Sequence, residues 1–268
     1  MKYFLCLGLF VFASFVKADL LISPTSMLIT DRERVKEIIL VNTGNKTNTY
    51  RLSFKDMVQG VNGVYQKVGE GGFEFSASEY IRFSPRQVSL KAGERQTVKL
   101  LVRRGKDMQP GDYRSHLSFV VLPSKNGSET AETQGNQQLG IKLTTLLSYS
   151  IPVVIQTGEP DVEIGLTGVQ LKPNFENNAQ SVDVQLMRRG KNGVFGKIEL
   201  FAGNTKEDLI LIGELNNANI FRESQNRVFN VNLNNRLKIS EGDHITVKYT
   251  DVGLRKELLN QTVSVLSE

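Results

Sequence analysis

The sequence is poor in the residues from which cross-links, metal sites and many catalytic centres are built. Its 268 residues include one cysteine, Cys6, two histidines, His116 and His244, and no tryptophan. A single cysteine cannot form a disulfide within the chain, so stability must come from the size of the core. Two histidines in different halves of the chain give little material for a Ser-His-Asp arrangement or a histidine-rich metal site. A hydrolase with two catalytic carboxylates stays possible, because acidic residues occur throughout. We nevertheless expect no enzyme, no metal, no cofactor and no small-molecule substrate.

The charge balance is also weak. The chain has 33 Lys and Arg against 28 Asp and Glu. Removal of an N-terminal segment that contains Lys2 and Lys17 leaves 31 against 28, a net charge of +3. No dense run of basic residues accompanies this small excess, so a nucleic-acid partner is not expected.

The N-terminus is typical of a secretory signal peptide. A basic start at Lys2 is followed by an almost unbroken apolar run over 3–16, and Val16-Lys17-Ala18 offers small residues at a cleavage site. A run of about 14 apolar residues is short for a membrane span, which needs roughly 20. Cys6 lies inside the run rather than at its end, which argues against a lipid anchor. We therefore predict a signal peptide over 1–18 and an exported protein.

The remaining chain shows period-2 alternation and no convincing 3.6-residue period, which predicts an all-β protein. Alternating segments separated by turn clusters occur at 37–41, 49–54, 89–102, 113–121, 162–171, 181–187, 196–201, 209–215, 227–233 and 244–249. Short strands at this spacing favour β-sandwiches. Gly158 and Pro160 interrupt the pattern in mid-chain, so we place one sandwich at 19–157 and a second at 158–268. So short a link predicts a bent, boomerang-like pair.

Tyr113 carries an immunoglobulin-like feature. It follows Gly111-Asp112 at the head of an alternating segment, where a tyrosine corner has its hydroxyl hydrogen-bonded to upstream backbone. Two residues later, where antibody domains have a cysteine, this chain has Ser115. The sequence therefore predicts immunoglobulin-like sandwiches without the disulfide.

The first half resembles the PapD-like periplasmic chaperones of chaperone–usher pili. The resemblance is carried by Leu21-Ile22-Ser23-Pro24, Ile38-Ile39-Leu40-Val41-Asn42, Ile81-Arg82-Phe83-Ser84-Pro85-Arg86-Gln87-Val88, Leu90-Lys91-Ala92-Gly93-Glu94-Arg95-Gln96-Thr97-Val98 and Gly111-Asp112-Tyr113-Arg114-Ser115-His116-Leu117. The last segment is similar to the archaic branch of the family. The resemblance is strong over the first domain and weak over the second. It implies a protein of the Gram-negative periplasm that stabilises pilus subunits and delivers them to an outer-membrane usher.

A segment before the domain boundary has an unusual composition. No large apolar residue occurs over 123–138, which predicts a mobile loop. Strong alternation follows from Leu139 to Ile155, broken only at Thr145. A strand of about 17 residues would reach roughly 55 Å, longer than one sandwich covers. We expect 147–155 to belong to the first core, and Leu139, Ile141 and Leu143 to project as an apolar edge. On spacing alone, this edge fits either a strand given to a partner or an ordinary hairpin strand with a frayed start. The resemblance implies donation to a pilus subunit.

The family holds the subunit's terminal carboxylate with an arginine and a lysine, and this sequence departs from that pattern. Ser26 aligns with the arginine, and Leu146 and Leu147 stand near the lysine position. A carboxylate needs fixed cationic donors. Candidate anchors, each of which could also be an ordinary solvated charge, are Arg82, Arg86, Arg114 and Lys142.

The main alternative is a secreted two-domain adhesin or pilus subunit that receives a strand. A subunit of this kind keeps its donor segment at the N-terminus, whereas the long alternating segment here lies in mid-chain. The sequence therefore favours the chaperone.

The signal-peptide prediction is tested by N-terminal sequencing of the protein from an osmotic-shock fraction. We expect the mature chain to begin at Asp19. A membrane-bound form that retains Met1 would contradict the prediction.

Overall fold

The computed structural model describes residues 19–69, 72–106, 108–123, 147–173, 180–203, 208–234 and 238–266. Strands make up almost all of its regular structure. They are β1 (Leu20–Ser23), β2 (Met27–Ile29), β3 (Val35–Asn42), β4 (Asn48–Lys55), β5 (Met57–Gln59), β6 (Tyr65–Lys67), β7 (Ile81–Ser84), β8 (Gln87–Leu90), β9 (Arg95–Val102), β10 (Gly111–Leu122), β11 (Ser148–Thr157), β12 (Val162–Pro173), β13 (Gln180–Gly190), β14 (Gly196–Ala202), β15 (Ile210–Leu215), β16 (Asn226–Asn232), β17 (His244–Asp251) and β18 (Lys256–Ser264). No helix in these ranges is long and apolar enough to cross a bilayer.

The first domain is a sandwich of a four-stranded sheet, β1-β3-β9-β7, and a five-stranded sheet, β2-β11-β10-β4-β8. Alternation of side chains builds the core between them: on β9, Val98, Leu100 and Val102 are buried while their neighbours are exposed or half-buried. The order of the principal strands is that of an immunoglobulin domain, with the first, second, fifth and fourth in one sheet. The segment predicted as one strand over 89–102 is two strands, β8 and β9, which lie in different sheets.

At both edges of the first domain, two consecutive strands lie in different sheets. At one edge the chain passes from β1 to β2 through Pro24, and at the other from β7 to β8 through Pro85. The strands that pair with β2 and β8, which are β11 and β4, are therefore covered on that side over only part of their length. β2 pairs with β11 at 153–155, and β8 pairs with β4 at 48–51.

The second domain packs β12-β13-β16 against β15-β14-β17-β18. Here the sheets are joined at both edges. Gln170 bridges Leu266, and Gly213 bridges Leu233. A single bridge at each edge therefore links the two sheets of the second domain.

The cores of the two domains are separate. Buried apolar residues from Leu20 to Ile155 form one cluster, and those from Val169 to Val265 form another. β11 ends at Thr157 and β12 begins at Val162, so residues 158–161 link the two clusters. The predicted all-β, two-sandwich fold is confirmed.

The tyrosine corner is also confirmed. The Tyr113 hydroxyl accepts a hydrogen bond from the backbone N–H of Gln109 at 3.1 Å. The ring is buried and packs edge-to-face on Tyr80, with ring centroids 5.5 Å apart. The corner fixes the start of β10 against the loop that precedes it.

The hairpin β5–β6 joins the two domains and was not predicted as a pair of strands. Its turn accepts a backbone hydrogen bond, from the N–H of Val228 to the carbonyl of Val61, at 2.9 Å. The backbone carbonyl of Gln59 accepts another, from the Ser224 hydroxyl, at 2.6 Å. The hairpin therefore extends the first domain onto the loops of the second.

Candidate functional site

The N-terminal half of β11 is an open sheet edge. β10 pairs with β11 along its whole length, from Gly111↔Thr157 to Val120↔Ser148. On the other side β2 covers only 153–155. Within the described residues, no strand covers 148–152 on that side. This edge can therefore accept another strand.

The direction of the free backbone groups follows from the register. The N–H of Val121 donates to the carbonyl of Leu147, directly opposite it, at 3.1 Å. In an antiparallel ladder the hydrogen-bonded pairs alternate. The backbone groups of 147, 149 and 151 therefore point to β10, while Ser148 and Ser150 direct their N–H and carbonyl groups at the open side. Pro152 contributes only a carbonyl.

The side chains of β11 are buried in its C-terminal half and become exposed toward its N-terminal end. Ile151, Val153 and Ile155 are buried, and Tyr149 is half-buried. Leu147 is 55% exposed, so the prediction that it belongs to the core is wrong. The contribution of β11 to the core begins with the half-buried Tyr149 and is complete from Ile151 onward.

The predicted donor side chains Leu139, Ile141 and Leu143, and the anchor candidate Lys142, lie outside the described residues. They directly precede the open edge in sequence, with Leu147 as its first described residue.

Arg114 lies in the interface between the domains. Its side chain is 3% exposed and forms an ion pair with Glu223, whose side chain is 8% exposed. Nη2 also donates to the carbonyl of Met57 at 2.6 Å, and the guanidinium lies 4.1 Å from the centre of the Phe221 ring. A carboxylate of this chain thus already occupies the cation that was a candidate for binding a partner's carboxylate.

Asp112, two residues before Arg114 on β10, lies in the same interface. Its carboxylate accepts hydrogen bonds from Nδ2 of Asn192 at 2.6 Å and from the N–H of Gly193 at 2.7 Å. Burial raises the pKa of Asp112 to about 6, although these donors and Arg222 act in the opposite direction. First-domain Asp112 is therefore held by a loop of the second domain.

His116 is buried in this interface, not exposed on the surface. Its ring packs edge-to-face on Tyr65, with centroids 4.9 Å apart, and Nδ1 lies 3.0 Å from Nη1 of Arg114. Burial, aided by the Arg114 charge, lowers the pKa of His116 to about 3. The imidazole is therefore neutral at physiological pH and acts as a hydrogen-bond acceptor.

Arg82 and Arg86, the other described anchor candidates, are exposed but distant from the open edge of β11. They flank the β7–β8 connection, at the opposite side of the sandwich from β1 and β2. The structure brings neither arginine to the edge next to the predicted donor segment.

A cavity of about 350 Å³ between the domains is lined in part by Lys197, a basic residue that was not among the predicted anchors. It is lined by residues of β2, of β14 and of two second-domain turns, among them Ser26, Met27, Phe195, Lys197, Asn217 and Gly253. Lys197 pairs with Glu199 at 2.8 Å and its side chain is 35% exposed. Only the folded chain places Lys197 beside Ser26, so no local sequence signal could have identified it.

The described residues contain no group of three or more His, Cys, Asp or Glu side chains that could hold a metal ion. The described part of this region offers free backbone groups at 148–152 and a cavity lined by Lys197, a combination suited to binding a polypeptide.

Similar proteins were found among solved structures only. The chain matches no protein-family model and no curated protein sequence. Similar structures include the class 5 fimbriae chaperone CfaA, with 12% identity, a TM-score of 0.48, and coverage of 92% of this chain and 99% of that one. A chain of the CsuC–CsuE chaperone–tip subunit complex from the archaic Csu pili of Acinetobacter baumannii has 14% identity and a TM-score of 0.44, covering 94% and 100%. A chain of the Salmonella enterica SafA pilin–SafB chaperone complex has 8% identity and a TM-score of 0.46, covering 91% and 95%. The first of these proteins is named as a fimbrial chaperone, and the other two chains come from complexes of a chaperone with a pilus subunit.

The interface predicts opposite pH responses from Asp112 and His116. The pKa of Asp112 is raised from 3.8 to about 6, so its protonation adds stability as pH falls through this range. The pKa of His116 is lowered from 6.5 to about 3, so stability is lost as pH falls below 6.5. At full extent the Asp112 contribution is on the order of 3 kcal/mol and the His116 contribution on the order of 5 kcal/mol, and the two oppose each other near pH 5.

Thermal unfolding of wild type, Asp112→Asn and His116→Gln between pH 7 and 4 measures this opposition. Relative to wild type, the Tm of Asp112→Asn should fall with acidification, and that of His116→Gln should rise. Parallel curves for all three proteins would contradict the assignment.

Proposed function

We propose that this chain is an exported periplasmic chaperone that holds pilus subunits by donor-strand complementation and delivers them to an outer-membrane usher. The observation that carries the proposal is the open edge of β11 at 148–152, which directly follows the alternating segment with Leu139, Ile141 and Leu143. A long apolar edge is a liability in a solitary protein, but it is the means of binding for a protein that completes another's sheet.

The segment has enough apolar surface to hold a partner. Burial of Leu139, Ile141 and Leu143 would contribute about 1.5–3 kcal/mol for each side chain, in addition to backbone hydrogen bonds. A subunit that lacks one strand would gain a covered core, and the chaperone would gain a covered edge. Both partners are therefore stabilised by the same strand.

The direction of β2 suggests where a subunit's C-terminus lies. β2 runs parallel to β11 and begins at Met27, next to the cavity that contains Ser26 and Lys197. A subunit strand that ran parallel to β11 along 148–152 would end at this cavity. We propose that Lys197 binds the terminal carboxylate there. Lys142 remains a second candidate. Arg114 and Lys197 both pair with a glutamate, but the Arg114 side chain is only 3% exposed, whereas that of Lys197 is 35% exposed and is accessible to a partner.

Export follows from the predicted signal peptide over 1–18, and the periplasm is the compartment in which pilus subunits await assembly. The absence of cysteine after Cys6 means that the mature chain folds there without disulfides.

Donation is tested by Ile141→Asp. A charge at this position would lie where the subunit core closes, at a cost of several kcal/mol to binding. We expect the isolated variant to keep the wild-type Tm and to lose the subunit that co-purifies from periplasm. Mass spectrometry of the co-purified protein identifies the subunit.

Two matched variants make this test specific. Thr144→Asp adds the same charge at the opposite parity of the segment and should retain the subunit. Ile151→Asp places it in the core, where Ile151 is 4% exposed, and should lower the Tm strongly. A lowered Tm for Ile141→Asp, or a subunit that still co-purifies with it, would count against donation.

The carboxylate site is tested by Lys197→Ala, with Lys248→Ala as its control. The two lysines are 35% and 34% exposed and both pair with a glutamate, but only Lys197 lines the cavity. Loss of a cation from a partly desolvated carboxylate should weaken subunit binding more than tenfold, since such losses cost about 2–5 kcal/mol. Equal subunit yields from the two variants would exclude Lys197 as the anchor.

A further inference from the structure

The first sandwich has a second open edge, on the far side of the sheet from β11. β8 pairs with β4 only from Asn48↔Leu90 to Arg51↔Gln87, whereas β10 pairs with β4 as far as Lys55. The last hydrogen bond on the β8 side runs from the N–H of Leu52 to the carbonyl of Arg86, at 2.8 Å. Beyond it, β4 has no neighbouring strand on that side among the described residues.

The register determines which backbone groups face this second edge. The bond from Leu52 to Arg86 shows that the backbone of even-numbered residues of β4 points away from β10. The N–H and carbonyl of Phe54 therefore face the open side. The next outward carbonyl, that of Asp56, accepts from the N–H of Val68 at 3.0 Å. Phe54 thus offers one donor and one acceptor to an extended segment.

A groove with an aromatic floor lies beside Phe54. Its central cavity, about 240 Å³, is lined by Leu52, Ser53, Phe54, Ser78, Ile81, Arg82, Phe83 and Arg86. The rings of Phe54 and Phe83 pack edge-to-face with centroids 5.3 Å apart, and both are only half-buried. The floor can therefore cover one apolar side chain of a ligand.

The rim of the groove is basic. Arg82 and Arg86 are exposed, and no described carboxylate forms an ion pair with either. Nη1 of Arg82 donates to the backbone carbonyl of Glu79 at 3.2 Å, which holds the guanidinium near the groove. An adjoining cavity of about 440 Å³ adds two lysines and two acidic residues, Lys55, Lys67, Asp56 and Glu79. Of these acids, Asp56 already accepts a hydrogen bond from the Ser115 hydroxyl.

We propose that this groove binds an extended, acidic segment of a partner protein. The segment hydrogen-bonds to the backbone of Phe54, places an apolar side chain on Phe54 and Phe83, and directs carboxylates to Arg82 and Arg86. Charge complementarity selects this ligand, because guanidinium groups bind carboxylates with paired hydrogen bonds. The groove is separated from the donor edge by β11, β10 and β4, so its partner is additional to the proposed subunit.

A fluorescein-labelled peptide, Thr-Glu-Val-Glu-Val-Glu-Thr with blocked termini, serves as the probe, and the same sequence with glutamine in place of glutamate is its control. Fluorescence anisotropy should show binding of the acidic peptide to the full mature chain and at least tenfold weaker binding of the glutamine peptide. In a two-dimensional amide spectrum of the ¹⁵N-labelled chain, the acidic peptide should shift the Phe54 signal.

The matched variants are Arg82→Glu/Arg86→Glu and Arg51→Glu/Arg95→Glu. Each reverses two exposed arginines of the first domain, but only the first pair lines the groove. The first double variant should bind the acidic peptide at least tenfold more weakly than wild type, and the second should bind it as wild type does.

Three results would overturn the proposal: equal binding of the two peptides, equal binding by the two double variants, or no binding of the acidic peptide at millimolar concentration. A concentration-dependent dimer in sedimentation experiments that Arg82→Glu/Arg86→Glu abolishes would assign the groove to a second copy of this chain instead. The donor-strand variant Ile141→Asp should bind the acidic peptide normally, so failure of one proposal does not imply failure of the other.

Discussion

At each edge of the first sandwich, the edge segment crosses from one sheet to the other. It therefore pairs with only part of the neighbouring strand in the sheet that it joins. β2 leaves the start of β11 bare, and β8 leaves the end of β4 bare. Unsatisfied backbone groups at a sheet edge are tolerated in water, but they favour pairing with another strand. Both surfaces that we assign to partners arise from this one constraint. In the second sandwich, one bridge at each edge, at Gln170 and at Gly213, links the two sheets.

The domain interface places charged residues where a core would normally be apolar. From Gly111 to Phe119 every residue of β10 is buried, because one face of the strand lines the first core and the other meets the hairpin β5–β6 and the second domain. Asp112, Arg114 and His116 lie on that second face. Each has at least one hydrogen-bonding partner, although Nε of Arg114 is buried without one. The relative placement of the domains is thus set by directional contacts, and the cavity that contains Lys197 depends on that placement.

Much of the fold could be predicted from the sequence, because alternation of apolar residues reflects burial directly. It located β3, β4, β10, β13 and β17 within a few residues. It did not reveal β6 or β18, since the three residues of β6 are all exposed and β18 has no regular alternation. The interface could not be predicted for the opposite reason. Asp112, Arg114 and His116 have the spacing of a solvent-facing row, and only tertiary contacts with distant residues bury them.

A single strand, β10, lies between the two strands whose outer edges are open. Ser118 of β10 is directly opposite Ser150 of β11 on one side and Ser53 of β4 on the other, so both bare stretches lie at the same height on the sheet. Strands added at both edges would form one continuous row of five, about 19 Å from first to last at the usual strand spacing. The middle three strands of that row belong to this chain. One edge can therefore affect the other only through these three strands, and any coupling of the two affinities must be equal in both directions.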